Sequence, residues 1–250
     1  MNSTKGVLYL IPTTLGDNDP LDVLPLLVKK VIEETSTFIV ENEKTARRFI
    51  KKITPDKSQP SLKLFPLNKF TEATELPSYL NPCLNGFNVG LLSEAGCPGV
   101  ADPGADVVRI AHQKNIKVVP LVGPSSILMA LMSSGMNGQS FAFNGYLPID
   151  KGERKGEIKR LERLSFEQNQ SQIFIETPYR NNKMIEDLST ILENDTDICV
   201  ACDITLSTEF IKTQSANAWK KNTRDLPYLL FIKAKILASA RMTNSNETSK

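Results

Sequence analysis

Short apolar runs along the chain alternate with longer stretches in which apolar residues recur every three or four positions. The short runs predict strands and the periodic stretches predict helices. The predicted strands cover residues 6–11, 37–40, 62–65, 87–92, 116–122, 140–144, 171–178, 197–204 and 226–233. The predicted helices cover residues 20–34, 43–53, 71–80, 106–112, 127–134 and 181–192, and the first of them starts or kinks at Pro25. This alternation predicts an α/β fold with largely parallel sheets.

The pattern restarts near residue 122, which predicts two α/β domains. They cover residues 1–121 and 122–238. The remaining residues, 239–250, form a polar tail that we expect to be disordered.

The composition of the 250 residues is that of an ordinary globular protein, with 40% apolar and 23% charged residues and a net charge of +2. No apolar run approaches the roughly 20 residues of a membrane-spanning helix. The N-terminus leads into the first strand without the apolar core of a signal peptide. We therefore expect a soluble, cytoplasmic protein without a membrane partner.

Cysteine and histidine are too sparse to predict a metal site. His112 is the single histidine of the chain. Cys199 and Cys202 have the spacing of a redox pair, but they lie in a predicted buried strand, where they would point to opposite faces of the sheet. We expect all four cysteines to be reduced residues of the core or of loops.

The most unusual stretch of the sequence is the loop that follows the predicted strand 87–92. Its glycines and prolines prevent regular structure, and it carries Ser93, Glu94 and Asp102. Ligands of open α/β sheets bind at the carboxyl ends of strands, so this loop is a candidate binding loop. A structural crossover is the alternative. Residues 12–17 also follow a strand and could share a pocket with this loop.

Two segments concentrate positive charge. The helix 43–53 places its cations opposite its apolar stripe, with no acidic partner expected on that face. This is either a solvated face or a surface for an anionic substrate such as RNA. Residues 151–163 are predicted to form a highly charged, exposed lid or helix. Neither a G-x-G-x-x-G fingerprint nor a P-loop is present, which argues against an ordinary dehydrogenase or NTPase.

Six segments in matching order resemble motifs of one enzyme family. Residues 6–17 are similar to "GxLYxxxTPxGNLxD", 93–104 to "SDAGxPxxxDPG", 118–125 to "VxPxPGPS", 143–148 to "FxGFLP", 175–180 to "YESPHR" and 203–209 to "RELTKxxE". The chain thus resembles the tetrapyrrole methylase superfamily of S-adenosylmethionine-dependent methyltransferases. Within it, the chain is most similar to the bacterial 16S ribosomal RNA 2′-O-ribose methyltransferases.

This resemblance implies two α/β domains with a cleft for S-adenosyl-L-methionine between them, commonly in a homodimer. The cofactor contacts that it implies are Pro12, Leu92, Ser93, Glu94, Ala95, Cys97, Pro98, Ser125, Ser126, Tyr146, Leu147, Ile204 and Pro227. Most of them lie at strand ends, where backbone groups can bind a zwitterionic ligand.

The substrate side departs from the family pattern. Asn42 replaces the Asp and Lys44 the Arg of the family's "EDTRxT" segment, and Tyr179 replaces a histidine. An RNA or ribosomal small-subunit substrate would be bound by the cations Lys44, Arg47, Arg48, Lys51, Arg154 and Arg180.

Two carboxylates are candidate general bases for a hydroxyl acceptor, namely Glu41 and Glu176. Each could instead cap a helix or form a salt bridge with Lys44 or Arg180. A methyltransferase for a small molecule or a protein, and a non-catalytic S-adenosylmethionine-binding protein, are the alternative functions.

Overall fold

The computed structural model describes residues 5–221 and the backbone of residues 234–239. The chain divides into two compact units, Met1–Ser125 (unit 1) and Ser126–Lys250 (unit 2). Each unit has its own sheet and its own core.

Unit 1 is built on a five-stranded, fully parallel sheet. Its strands are β1 (Val7–Ile11), β2 (Thr37–Val40), β3 (Lys63–Pro66), β4 (Val89–Leu92) and β5 (Lys117–Pro120). They are ordered β3-β2-β4-β1-β5, and every neighbouring pair is parallel. The helices are α1 (Leu26–Glu34), α2 (Glu43–Ile53), α3 (Leu76–Tyr79), α4 (Asn81–Leu84) and α5 (Ala105–Gln113). The parallel sheet predicted from the sequence is confirmed for this unit.

Helices cover both faces of this sheet because alternate strand residues point to opposite sides. In β2, Phe38 and Val40 pack in the cluster that holds the apolar faces of α1 and α2. The residue between them, Ile39, packs in the cluster that holds α3 and α5.

Local sequence fixes the start of the first two helices. Short 3₁₀ turns lie at Pro20–Asp22 and Gln59–Ser61. α1 starts directly after Pro25, as predicted. Asn42 caps α2, since its Oδ1 accepts hydrogen bonds from the backbone N–H groups of Lys44 and Thr45. The predicted helix 71–80 is wrong over 71–75, because Asn68 and Thr71 stabilise a turn directly before these residues and the helix begins only at Leu76.

Unit 2 has a mixed five-stranded sheet. Its strands are β6 (Phe141–Tyr146), β7 (Ser171–Glu176), β8 (Asp197–Cys202), β9 (Phe210–Ser215) and β10 (Ala234–Ser239), in the order β6-β7-β10-β8-β9. Its helices are α6 (Ser126–Ser134), α7 (Lys151–Gln168), α8 (Asn181–Ile191) and α9 (Ala216–Lys221), and a 3₁₀ turn covers Pro178–Arg180.

The prediction of a largely parallel sheet is wrong for unit 2. Only β6 and β7 are parallel, and the pairs β7–β10, β10–β8 and β8–β9 are antiparallel. β8 and β9 are joined by the short segment 203–209, whereas a parallel pair needs a crossover of about a dozen residues or more. The predicted strand 226–233 and Pro227 lie outside the described residues. Ser239, the predicted start of the polar tail, instead ends β10, and residues 240–250 also lie outside the described part.

The core of unit 2 surrounds Trp219, which is 2% exposed and donates a hydrogen bond of 2.9 Å to the carbonyl oxygen of Ile198. Cys202 belongs to this apolar cluster and Cys199 does not, so the two thiols lie on opposite faces of β8, as predicted. All four cysteines are free. Burial raises the pKa of Cys83 to about 11 and that of Cys202 to about 12, which keeps both thiols protonated.

Within residues 5–221 and 234–239, none of the helices combines the length and apolar character needed to cross a bilayer.

Candidate active site

The topology of unit 1 creates a crevice at the carboxyl ends of β1 and β4, which are neighbours in the sheet. The chain leaves β1 through α1 toward β2, and it leaves β4 through α5 toward β5, on the other side of β1. The two helices pack on opposite faces of the sheet. Such a switch point is where open α/β sheets bind their ligands.

Hydrogen bonds fasten together the two loops that leave these strands, the β1 loop (residues 12–17) and the β4 loop (residues 93–104). The backbone N–H of Thr13 donates to the carbonyl oxygen of Gly96 over 3.0 Å. The hydroxyls of Thr13 and Ser93 are 3.2 Å apart, and that of Ser93 also donates to the Gly96 carbonyl. Both hydroxyl residues are buried, so this connection is shielded from water.

A glycine is needed at the centre of this connection. Gly96 has φ of +77°, and a Cβ atom there would lie 3.1 Å from both the Leu15 side chain and the Pro124 carbonyl oxygen. The Cys97 thiol lies 3.5 Å from the same carbonyl oxygen. The segment after β5 therefore packs on the β4 loop as well, and burial raises the pKa of Cys97.

The structure places the predicted cofactor residues of unit 1 around these loops. Pro12, Leu92, Ser93 and Pro98 are buried, Cys97 and Ser125 are half-buried, and Glu94 and Ala95 are exposed.

A cavity of about 290 Å³ opens between the β1 loop, α2 and the start of the β4 loop; we call it the unit 1 cavity. It is lined by Thr13, Thr14, Leu15, Gly16, Asp17, Thr45, Ala46, Arg48, Phe49, Lys52, Leu92, Ser93 and Glu94. The lining thus combines two cations, two carboxylates, several hydroxyls and one aromatic ring, which suits a polar ligand.

Glu94 is held in this cavity by α2. The hydroxyl of Thr45 lies 2.7 Å and 2.9 Å from the two carboxylate oxygens of Glu94. Because Thr45 is in the first turn of α2, it ties the position of the β4 loop to that of the helix. Sequence analysis missed Thr45 as well as Thr13, Asp17 and Phe49, because their roles depend on contacts between distant segments.

The expectation that the cations of α2 have no acidic partner is wrong. Lys52 forms an ion pair of 2.8 Å with Asp17, and Arg47 one of 3.4 Å with Glu43. Arg47 also donates to the carbonyl oxygen of Gln59, and Lys51 donates to that of Pro55. Asp17 could not be foreseen as a partner because it is 35 residues from Lys52.

The two predicted bases differ in environment. Glu41 is exposed and lies beside Ser93 and Asp102 of the β4 loop. Glu176 is fully buried, and its Oε1 accepts hydrogen bonds of 2.7 Å and 3.1 Å from the backbone and hydroxyl of Thr177. Its Oε2 lies 3.0 Å from Arg180. For Glu176 the structure therefore shows the salt bridge that sequence analysis held open as the alternative.

Arg154 is not on the exposed surface that was predicted for residues 151–163. It is 7% exposed, and two of its guanidinium nitrogens donate to one carboxylate oxygen of Asp187, over 3.0 Å and 2.7 Å. A third nitrogen donates to the carbonyl oxygens of Pro148 and Ile149. The helical part of the prediction is confirmed, but Arg154 points into unit 2, so it is not available to bind an anionic substrate.

The predicted cofactor residues of unit 2 lie at element ends. Ser126 begins α6, and Tyr146 and Leu147 stand at the end of β6. Ile204 is buried between Asp203 and Thr205, which both have positive φ, +50° and +77°. Such backbone strain is common at functional sites.

Two buried oxygen atoms near Ile204, Asp203 Oδ1 and Thr205 Oγ1, have no hydrogen-bond partner among the described residues. They lie in the segment 203–209, which carries one of the six motifs, but no pattern in the sequence distinguishes these two side chains from their neighbours.

No protein-family model matches the chain. Ribosomal RNA small subunit methyltransferase I of Vibrio cholerae is 29% identical over 211 residues, which are 82% of this chain and 67% of the relative. The protein of the same name from Bacillus subtilis is 28% identical, over 84% of this chain and 68% of the relative.

The fold matches solved methyltransferases. The methyltransferase CobJ superposes with a TM-score of 0.61 at 17% identity, over 94% of each chain. The uroporphyrin-III-C-methyltransferase of Thermus thermophilus gives 0.54 at 16% identity, over 94% of this chain and 92% of its own. These likenesses show an α/β fold of the tetrapyrrole methylase type. The chain is a methyltransferase.

Proposed function

We propose that the chain is an S-adenosylmethionine-dependent RNA methyltransferase that modifies a ribose 2′-oxygen of small-subunit ribosomal RNA. The sequence relatives are named as methyltransferases of the ribosomal RNA small subunit. The observation that carries the proposal is the unit 1 cavity, where the β4 loop, with its predicted cofactor residues, meets the cations of α2.

The residues present fit a sulfonium donor with a nucleoside part. In unit 1 we assign donor contacts to Pro12, to the β4 loop from Ser93 to Pro98, and to Ser125. In unit 2 we assign them to Ser126, Tyr146, Leu147 and Ile204. The buried oxygens of Asp203 and Thr205 are available to accept hydrogen bonds from ribose hydroxyls. When bound, the donor supplies a methyl group already activated by the positive charge on its sulfur.

Because the methyl group is activated, the task of the protein is mainly to align the acceptor. Alignment of two reactants can lower a barrier by about 7–11 kcal/mol. The fastened β1 and β4 loops provide the rigidity that alignment requires, since the hydroxyls of Thr13 and Ser93 hold them in one arrangement.

A carboxylate that removes the proton of the hydroxyl acceptor would add about 10²–10⁴-fold. We assign this role to Glu41, which is exposed beside the β4 loop. Glu176 is a weaker candidate because it is buried and bound to Arg180. Replacing Glu41 with Gln should lower kcat and leave binding of the donor unchanged, and an unchanged kcat would contradict the assignment.

RNA binding is assigned to the cations that remain accessible. Lys44 and Arg48 are exposed on α2. Arg47, Lys51 and Arg180 bind protein oxygens, so their contribution to RNA binding should be smaller. With a net charge of only +2, the attraction for RNA must come from such a local surface and not from the whole molecule.

We also propose that the enzyme works as a homodimer, as the motif resemblance implies, and that it works in the cytoplasm, as expected from its composition. Light scattering on the purified full chain tests the oligomeric state, and the mass of a single chain at micromolar concentration would contradict the dimer.

The experiment that tests the proposed function uses RNA, protein and metabolite fractions from a strain that lacks this protein. Each fraction is incubated with the purified chain and S-adenosylmethionine labelled in its methyl group. Label should enter the small-subunit ribosomal RNA. Label found only in the protein or metabolite fraction would contradict the RNA substrate, and donor binding without any transfer would indicate a non-catalytic protein.

A further inference from the structure

We propose that the unit 1 cavity binds one nucleotide of the acceptor RNA strand, with its phosphate on Arg48 and Lys52, and that Asp17 occupies the phosphate position in the free enzyme. This inference rests on the proposed function, because it assigns the place where the RNA substrate of that function enters.

The size of the cavity favours a single nucleotide. Its volume of about 290 Å³ is just below the range for small-ligand sites, about 300–1,000 Å³. A duplex does not fit a space of this size. Proteins that read RNA commonly take up unstacked bases from single strands and loops, one base at a time.

The cationic wall of the cavity suits a phosphate group. Arg48 and Lys52 are four residues apart on α2, so they lie on the same side of the helix, and both line the cavity. Phe49, between them in the sequence, also lines it and is half-buried. An aromatic ring beside a cationic groove is the usual arrangement for stacking a base of single-stranded nucleic acid.

The carboxylate of Asp17 is an anion that already interacts with these cations. The side chain of Asp17 is 99% exposed, yet its carboxylate lies 2.8 Å from Lys52. The hydrogen bond and charge of Lys52, with a smaller contribution from Arg48, lower the pKa of Asp17. Asp17 therefore faces both cations. Ion pairs exposed to this degree are weak, so a phosphodiester can displace the carboxylate.

The first turn of α2 and the starts of the β1 and β4 loops supply groups for a sugar. The hydroxyl of Thr45 donates to the carboxylate of Glu94, so both groups are held in position. Ser93 and Thr13 also line the cavity. A ribose there would lie beside the donor, because Ser93 and Glu94 begin the segment of the β4 loop to which donor contacts are assigned. The lining thus offers a group for each part of a nucleotide.

Three substitutions and two matched controls test this inference. The pocket variants are Arg48→Ala, Lys52→Ala and Asp17→Asn. The controls change the same charges outside the cavity lining, at exposed Lys30 of α1 with Lys30→Ala and at exposed Asp56 with Asp56→Asn. The dissociation constant and KM are measured with small-subunit RNA from the strain that lacks this protein, at several salt concentrations.

Loss of either cation should raise KM for the RNA about tenfold and reduce the slope of log K against log salt by about 0.7, the value for one phosphate of a single strand. Donor affinity should be unchanged. Asp17→Asn should have the opposite effect and tighten RNA binding severalfold, because a competing anion is removed. A misfolded variant could lose affinity, but it could not gain it, so the Asp17 result does not depend on intact folding of the others.

The outcomes separate the two proposals. If the wild-type chain methylates RNA but Arg48→Ala and Lys52→Ala match Lys30→Ala, or Asp17→Asn matches Asp56→Asn, the nucleotide site is wrong and the proposed function remains. If the wild-type chain methylates no RNA, both proposals are wrong.

Discussion

Gly96 shows how one residue can position an entire loop. Its carbonyl oxygen accepts the hydrogen bonds of Thr13 and Ser93, and its positive φ lets the chain turn back toward the β1 loop. The sequence predicted a binding loop here from its glycines and prolines. It could not reveal which glycine is confined, since that depends on the positions of Leu15 and Pro124.

Gly96→Ala should therefore cost more stability than Gly99→Ala. Both positions have positive φ, so both variants incur the backbone strain of a left-handed residue, about 1–2 kcal/mol. Only at Gly96 does the added Cβ meet neighbours, at 3.1 Å, whereas nothing lies within 4 Å at Gly99. Urea unfolding of the two variants checks this prediction, and equal losses of stability would contradict it.

The ion pair between Arg154 and Asp187 is the clearest case of a cation that stabilises the fold and does not bind substrate. Burial alone would raise the pKa of Asp187, but the hydrogen bonds and charges of Arg154 and Lys183 lower it below its ordinary value of 3.8. The sequence could not distinguish Arg154 from the other cations of residues 151–163. Its partner is 33 residues away and becomes a neighbour only when α7 packs on α8.

Arg154→Ala should destabilise unit 2 by about 3 kcal/mol, because removal of one partner leaves a buried charge uncompensated. We expect the lower end of the range for such pairs, since Lys183 remains 3.3 Å from Asp187. The matched control is Lys155→Ala, which removes the same charge from an exposed site of α7 and should change stability by less than about 0.5 kcal/mol. Denaturant titration measures both, and a loss no larger than that of Lys155→Ala would contradict the structural role.

The lowered pKa of Asp187 also predicts how stability depends on pH. Its carboxylate stabilises the fold fully above the unfolded pKa, near 3.8, and this contribution is lost as pH falls through the lower folded pKa. The stability difference between the wild type and Asp187→Asn should therefore shrink as the pH falls below about 5. Unfolding free energies measured across this range test the sign, and a difference that grew in acid would contradict it.

At the scale of elements, α2 was the most predictable part of the chain. Its bounds, Glu43–Ile53, are those predicted, because a strong apolar stripe and the cap residue Asn42 define them locally. The ion partners of its cations were not predictable, since they come from other segments. Asn42, which departs from the Asp of the family motif, keeps the capping function.

Substitutions at Asn42 test whether this residue stabilises α2 by capping it. Asn42→Ala should cost about 1 kcal/mol, because the N–H groups of Lys44 and Thr45 lose their acceptor. Asn42→Asp should retain the stability, since a carboxylate oxygen accepts the same bonds and is favoured at a helix N-terminus. Thermal and denaturant unfolding distinguish the two, and a stable Ala variant would show that the cap is dispensable.

The sheet of unit 2 shows that strand direction could not be predicted from the order of strands and helices alone. Alternating strands and helices predicted parallel pairing throughout, and this is right for unit 1. In unit 2, β9 was missed because exposed Lys212 and Thr213 interrupt its apolar pattern. The hairpin of β8 and β9 then makes the sheet mixed. Strand pairing depends on long-range contacts that the periodicity of a single segment does not contain.

At the scale of the whole molecule, six ordered motifs predicted the superfamily and its methyl-transfer chemistry. The fold is of the tetrapyrrole methylase type, and the relatives support the methyl-transfer chemistry. The substrate is less constrained by these motifs, because the residues expected to bind it are the ones that depart from the family pattern. Of the predicted cations, Arg154 is buried, and Arg47, Lys51 and Arg180 bind protein oxygens. The structure adds Thr45, Asp17 and Phe49 as lining of the unit 1 cavity.

The most direct test of the account locates the transferred methyl group. Small-subunit ribosomal RNA from a strain lacking this protein is methylated by the purified chain with labelled S-adenosylmethionine and then hydrolysed in alkali. Methylation of a 2′-oxygen removes the nucleophile that cleaves the adjacent phosphodiester, so we predict that the label is recovered in an alkali-resistant dinucleotide. Label recovered in single nucleotides would place the methyl group on a base, and absence of label from the RNA would contradict the central claim.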